Sequence, residues 1–402
     1  MTDARMKIPI TKPLFGDEER ANIQQPLESG WVVQGPFVKQ FEDRFATFVG
    51  APDAVATSSC TTALHVALVA LGVKPGDEVI VPAFTWISTA NVVEYLGARP
   101  VFCDVDLETF NIDVGCIESL VTPQTVGIIP VHLFGLPADM AAIVALADQC
   151  GLWVVEDAAC AFGARYRDRH VGLLGDVGCF SFHPRKSITT GEGGMITTLR
   201  SELAELSRSL RDHGATRSDL VRHENPESFL LAEYPQLGFN YRMTDIQAAV
   251  GCAQMDRAPD ILACRAQVAS RYNEALGELS WLRRPSTPTG YVHGNQAYVC
   301  LFAPDEPTPS NVEILSRARS DLMRSLEQAG IATRQGTHAP VLADYYAQKY
   351  SIRPEKYPKE TASIHRRPLR KIQFQSRPES CLCRRSKLHR PMGLIRPNFG
   401  SV

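Results

Sequence analysis

Four short segments of this chain carry side chains that could do chemistry together. The first is Ser181-Phe182-His183-Pro184-Arg185-Lys186-Ser187-Ile188, followed by two threonines and a run of glycines. A lysine a few residues past a strand, fixed in a loop and partly desolvated or beside positive charge, offers its amine as a nucleophile for Schiff-base chemistry. Arg185 stands next to it. Taken alone, the segment reads better as a surface lysine in a turn. The second is Glu156-Asp157-Ala158-Ala159, where a carboxylate closes an apolar run. Such a carboxylate suits a pyridinium nitrogen, and keeping that nitrogen protonated makes the ring an electron sink. An exposed acid at a strand end looks the same. The third, Thr57-Ser58-Ser59-Cys60-Thr61-Thr62, leads small hydroxyl residues into a helix. Free N–H groups, hydroxyls and the helix dipole would hold a phosphate there, and a plain N-cap would use the same residues. The fourth, Pro82-Ala83-Phe84-Thr85-Trp86, puts an indole past a strand end, where it could stack on a flat ring or sit in the core.

The elements that must position these segments are legible as alternating runs. Residues 77–82, 100–104, 126–131, 152–157, 177–182 and 194–198 are short and apolar. Residues 62–71 and 140–147 have helical patterning. Continuous apolar strands alternating with helices predict an α/β fold with a mostly parallel sheet covered on both faces. Sites in such sheets lie at the carboxyl ends of the strands, here near residues 82–86, Asp104, His132 and Asp157. Helical patterns over 242–256, 261–276 and 311–329, with a strand over 296–302, predict a second, smaller unit.

Composition narrows the function classes. The chain has 402 residues, 44% apolar and 21% charged, as expected of a globular protein with a large and a smaller core. No apolar run reaches the roughly 20 residues of a membrane span. Residues 1–15 lack the apolar centre of a signal peptide, which predicts a cytoplasmic protein. The 11 cysteines form no CxxC pair, and several, such as Cys103, Cys179 and Cys252, fall in apolar segments. Reduced buried thiols are therefore expected, with no disulfide framework and no metal site.

The order and spacing of the four segments give the chain a specific likeness. It resembles the DegT/DnrJ/StrS family of sugar aminotransferases, enzymes of fold type I that use pyridoxal 5′-phosphate (PLP). The likeness runs from residue 8 to about 357. It includes Gly30-Trp31-Val32-Val33-Gln34-Gly35-Pro36, Val131-His132-Leu133-Phe134-Gly135, and Gly238-Phe239-Asn240-Tyr241-Arg242-Met243-Thr244-Asp245 besides the segments above. The resemblance implies a large PLP-binding domain with a seven-stranded, mostly parallel sheet over residues 1–250 and a small α/β domain over 251–360. It implies that Lys186 forms the internal aldimine and shuttles the proton, and that Asp157 pairs with the ring nitrogen. It further implies that Trp86 stacks on the ring and that Thr61, Thr62 and Ser181 hold the phosphate. Asn240 would reach the phosphate of the neighbouring subunit in a homodimer with shared sites. The substrates would be an amino donor, glutamate, and a nucleotide-linked keto-sugar, with no nucleic acid and no membrane. Two positions depart from the pattern. Cys60 stands where glycine is frequent, so a side chain would crowd the phosphate turn. Cys160 stands where Gln or His can bond the cofactor's 3′-oxygen, and a thiol is a weaker partner.

Alternatives rank lower. A sugar dehydratase of this family has histidine in place of Lys186. A catalytically impaired or regulatory relative fits poorly with intact Lys186 and Asp157. The basic tail lacks the aromatics of a nucleic-acid module. That tail, residues 361–402, is atypical. From 364 onward it holds ten Lys and Arg against one acid, Glu379, with prolines at 368, 378, 391 and 397 and no sustained period of two or 3.6. Charge balance and pattern change together, so the coding frame is expected to shift between residues 359 and 365, leaving the small domain without its final strand and helix. Resequencing the coding region tests this, and an unbroken frame would reject it.

Overall fold

A computed structural model describes residues 8–224, 231–308, 310–353, 357 and 372–374. The apolar runs become strands β1 (Asp53–Thr57), β2 (Glu78–Pro82), β3 (Arg99–Cys103), β4 (Thr125–Ile128), β5 (Trp153–Asp157), β6 (Val177–Ser181) and β7 (Gly194–Thr198). They form one seven-stranded sheet in the order β1-β7-β6-β5-β4-β2-β3. β7 alone runs against its neighbours β6 and β1, and the other pairings are parallel. β1 lies outside the runs singled out above.

Successive strand side chains point to opposite faces, and both faces here are apolar. Along β2, Val79 and Val81 join one core and Ile80 another. Along β6, Val177 and Cys179 pack on one side and Phe180 on the other. The helices that cover these faces are α2 (Pro36–Val49), α3 (Cys60–Ala70), α4 (Ser88–Tyr95), α5 (Met140–Cys150), α6 (Ser201–Arg211) and α7 (Asp245–Asp256), with α1 (Asp17–Ser29) packed on α7. On α3, Ala63, Leu64, Val66, Ala67 and Leu68 are all buried, as a helix enclosed on several sides requires. Across the sheet, Phe41 and Phe45 of α2 pack on Phe180 and Phe182. No described helix is long and apolar enough to cross a membrane. The described cysteines are free, five of them buried, and no described group of His, Cys, Asp and Glu could hold a metal ion.

The second unit begins with α8 (Ala258–Ala275). Its three-stranded sheet has the order β8 (Leu282–Arg283), β9 (Tyr298–Phe302), β10 (Ile372–Phe374), and α9 (Val312–Gln328) packs with it. One face of β9 (Tyr298, Cys300) meets α8 and α9; the other (Val299, Leu301) joins the large core. β10 is a correction to the expected loss of a final strand. Residues 372–374 pair antiparallel with 298–300. Three residues are too few to show a period of two in the sequence. The proposed frame change at 359–365 and the rest of the tail lie outside the described residues.

One buried ion pair locks the sheet edge. Glu42 of α2 accepts from the Ala56 N–H of β1 at 2.8 Å and from Arg211 of α6, which also donates to the Ala56 carbonyl. Both side chains are at most 5% exposed. Removing one partner leaves a buried charge unpaired. Arg211→Met should lower the unfolding free energy by about 3–5 kcal/mol, measured by denaturant titration; a loss under about 1 kcal/mol would show that water already reaches the pair.

Candidate active site

The carboxyl ends of β1, β5 and β6 share one edge with the start of β7. Gly194 is opposite Thr57 on one side and Ser181 on the other. This register sets the first turn of α3 beside the start of the lysine loop. Gly194 permits the approach: a Cβ there would lie 2.3 Å from the Ser59 carbonyl oxygen.

At the start of α3, Ser59 and Thr62 form a capping box. The Ser59 hydroxyl accepts from the Thr62 N–H at 3.1 Å, and the Thr62 hydroxyl donates to the Ser59 carbonyl at 2.8 Å. Thr62 is therefore committed to the cap. Among the described residues, the N–H groups of Cys60 and Thr61 and the Thr61 hydroxyl take no acceptor, so they are the donors left for an anion. Ser181, half-buried across the register, accepts from the His183 N–H at 3.4 Å. Cys60 does not crowd this turn. Its side chain is buried in the core, within electrostatic reach of Asp157, Cys179, Lys186 and Cys160.

Asp157, 4% exposed, ends β5. Its Oδ2 accepts from the Thr89 hydroxyl at 2.8 Å and its Oδ1 from the Ala159 N–H at 3.2 Å. Burial pushes its carboxyl above the usual range, against these two bonds and the nearby Lys186 amine. Thr89 was not singled out from sequence. It lies three residues past Trp86 in the first turn of α4, and that spacing was the available signal. Trp86 is 53% exposed, its ring edge-on to His338 with centroids 4.8 Å apart.

Lys186 comes from the loop after β6. Its N–H donates to the His183 carbonyl at 2.8 Å, and its Nζ donates to the Cys160 Sγ at 3.1 Å. Burial works to lower its pKa, but Cys160, Cys60 and Asp157 outweigh it and the amine sits above its ordinary range. Burial pushes the Cys60 and Cys179 thiols well up. Lys186, Asp157 and Cys160 thus converge, with the α3 turn beside them. Asn240 stands apart. Its side chain is exposed and makes no hydrogen bond among the described residues. Its segment is held by the Ser58 N–H on the Tyr241 carbonyl at 2.8 Å and by the Arg242–Asp212 ion pair.

Beneath Asp157 lies a buried acid that the sequence marked only as the strand's penultimate residue. Glu156 accepts from His132 Nε2 at 2.8 Å and from the N–H groups of Gly172, Leu174 and Gly175 at 2.7–2.8 Å. His132 Nδ1 accepts from the Ala138 N–H at 3.0 Å, and the His132 backbone N–H donates to the Asp157 carbonyl at 3.1 Å.

The model of the DegT/DnrJ/EryC1/StrS aminotransferase family matches residues 13–370. The match extends past residue 357, where the likeness read from sequence stops. The spore coat polysaccharide biosynthesis protein SpsC of Bacillus subtilis is 39% identical over 87% of this chain and 88% of its own. GDP-perosamine synthase of Caulobacter vibrioides is 40% identical over 85% and 87%. Among solved structures, S. venezuelae DesV in complex with a ketimine intermediate is 32% identical with a TM-score of 0.78, covering 90% of each chain. Spr1654 from Streptococcus pneumoniae in its PLP form is 27% identical with a TM-score of 0.80, covering 91% and 93%.

The Glu156 cluster gives a pH test. Burial tends to raise this carboxyl's pKa, but the His132 bond and the Gly172 and Gly175 N–H groups hold it below the ordinary 4.5. Its stabilisation is therefore full above the unfolded value and disappears as pH falls through the depressed native one. Glu156→Gln should melt well below the wild type at neutral pH, and the gap should narrow as pH falls below the ordinary 4.5. Melting curves taken across that range check this; a gap independent of pH would mean the carboxylate's charge is irrelevant.

Proposed function

The chain belongs to the DegT/DnrJ/EryC1/StrS aminotransferase family, and we propose that it uses PLP at Lys186 to transfer an amino group from glutamate to a nucleotide-linked keto-sugar. The observation that carries this reading is the convergence of the Lys186 amine with the buried Asp157 carboxylate beside the uncapped N–H groups of α3. The donor set fits the cofactor: an amine for its aldehyde, an acid for its ring nitrogen, and helix donors for its phosphate. The sugar substrate is supported by GDP-perosamine synthase and SpsC among the relatives.

When bound, PLP supplies an electrophilic carbonyl and a ring that accepts electrons from the bond being broken. The chain's own residues do the rest. Asp157, kept in place by Thr89 and Ala159, holds a proton on the facing ring nitrogen. Lys186 would move a proton from the amino-acid carbon to C4′ of the cofactor, and in the second half from C4′ to the sugar carbon. Thr61, Ser181 and the first N–H groups of α3 bind the phosphate, and Thr62 fixes that turn by capping it. Trp86, half-exposed, would stack on the ring. Cys160 lies against Lys186 and would be the partner of the cofactor's 3′-oxygen.

The active unit in this proposal is a homodimer, with Asn240 reaching the partner's phosphate. Exposed apolar side chains support it. Val33 and Val221 are exposed, and their neighbourhoods meet through the Trp31–His223 ring contact; Leu231, Tyr234 and Leu237 are exposed too. Exposed apolar side chains of this kind offer surface that a second copy can cover.

Purified protein with PLP should aminate a panel of nucleotide-linked keto-sugars using glutamate. Lys186→Ala should abolish this while circular dichroism stays unchanged, and normal turnover in that variant would sink the assignment. Asp157→Asn should lower the rate by at least about a hundredfold, because a neutral partner no longer favours the protonated ring nitrogen. Sedimentation should give a dimer; a fully active monomer would contradict the shared site.

A further inference from the structure

A buried cation that the proposed chemistry does not use lies behind the lysine loop. Arg265, near the middle of α8, is 6% exposed. No carboxylate among the described residues pairs with it. Its Nη1 donates to the carbonyls of Asn295 and Gln296, each at 3.2 Å, and its Nη2 to the carbonyl of Lys186 at 3.3 Å. Its Nε takes no acceptor among the described residues. Burial lowers its pKa to about 10, so it is still charged at neutral pH. A buried guanidinium without a counter-ion is an expensive way to join carbonyls. Its planar fork does, however, fix several acceptors in one geometry, and charged donors make the stronger bonds.

Those acceptors belong to the two segments that hold the lysine. Gln296 Nε2 donates to the Arg185 carbonyl at 2.7 Å, a second tie between residues 185–186 and 295–296. The 293–297 segment is anchored in turn. Gly294 N–H donates to the Gly135 carbonyl at 2.8 Å and Ala297 N–H to the Phe134 carbonyl at 3.3 Å. Asn295 adopts a left-handed φ of 47°, with its N–H on His293 Nδ1 and its side chain on the His293 carbonyl. With the Lys186 N–H on His183, both backbone polar groups of the lysine are spoken for.

We propose that Arg265 is a positioning residue for Lys186, fixing its backbone so that its amine meets the carbonyl carbon of PLP. The inference rests on Lys186 being the cofactor lysine. In the step it serves, the amine nitrogen adds to the aldehyde carbon, the carbonyl oxygen leaves as water with the two amine protons, and a C=N bond remains. A reacting atom displaced by about 1 Å loses on the order of a hundredfold in rate.

The test mixes apoprotein with PLP and follows the C=N absorbance band in time. The same proteins are titrated with pyridoxamine 5′-phosphate, which has no carbonyl and cannot bond to the lysine. Arg265→Met should form the band at least about tenfold more slowly than wild type. Its affinity for pyridoxamine 5′-phosphate should stay within about twofold of wild type. Arg265→Lys, which cannot span three carbonyls, should fall between. If Arg265→Met does not fold, Arg265→Lys and Gln296→Leu, each weakening one tie, must still slow the band selectively. Wild-type rates in the folded variants overturn the proposal. So does a parallel loss of pyridoxamine 5′-phosphate affinity, which would mark general damage. If the wild type forms no band, or Lys186→Ala forms it equally, the cofactor reading itself falls.

Discussion

A carboxylate placed inside a sheet must be surrounded by donors or lose its charge, and Glu156 is surrounded. It is fully buried, yet takes one imidazole bond and three backbone N–H bonds. Desolvation alone would drive such a group to its neutral form. The donors reverse that, and in doing so they tie two parts of the chain to the end of β5. Residues 172–175 are wrapped around the carboxylate, with Gly172 at φ +86°, a conformation that side chains resist. His132 spans from the end of β4 to Glu156 and backs the Asp157 carbonyl. Asp157 is the next residue, and the strand's alternation turns it to the opposite face. One side chain is thus held by the interior so that its neighbour can face the site.

The opposite side of the site depends on strand register. β7 is the antiparallel strand of the sheet, and it brings Gly194 between Thr57 and Ser181. The helix that offers its N–H groups and the loop that carries the lysine are therefore fixed to one rung of the ladder. A one-residue slip would turn these strands inside out, and it would move the α3 turn away from Lys186 at the same time. Core packing and site assembly are one constraint here. Arg265 and Gln296 extend it to the smaller unit, which holds the lysine loop from behind.

The strongest local patterns were legible in the sequence. Six of the seven strands follow from apolar runs bounded by turn residues, and Lys186 and Asp157 stand where those runs end. β1 was not singled out because Asp-Ala-Val-Ala-Thr is short, with two alanines and an acid, and only its pairing with β7 makes it a strand. Thr89 and Arg265 were missed for a related reason. A threonine in a helix and an arginine in a helix look like ordinary surface residues. They acquire a role only when folding brings Asp157 to one and three carbonyls to the other, across 68 and up to 79 residues of chain. The capping of Thr62 shows the reverse case. The sequence marked the residue correctly as part of a helix start, but its type could not say whether its hydroxyl faces an anion or the backbone.

The two cysteines near Lys186 have different surroundings. Cys60 has turned inward. It adds a buried group near Asp157, and burial pushes its thiol well up. Its side chain fills core volume and leaves the N–H groups of the anion turn open. Cys160 is at the working face, with its sulfur on the Lys186 amine. A thiol donates and accepts weakly, so it cannot orient a bound ring as firmly as an amide or imidazole. The orientation must then come from groups that are rigidly held: Asp157 between Thr89 and Ala159, and Lys186 with its backbone bonded at both ends. The weaker the partner at residue 160, the more the geometry of this site depends on the buried polar contacts behind it.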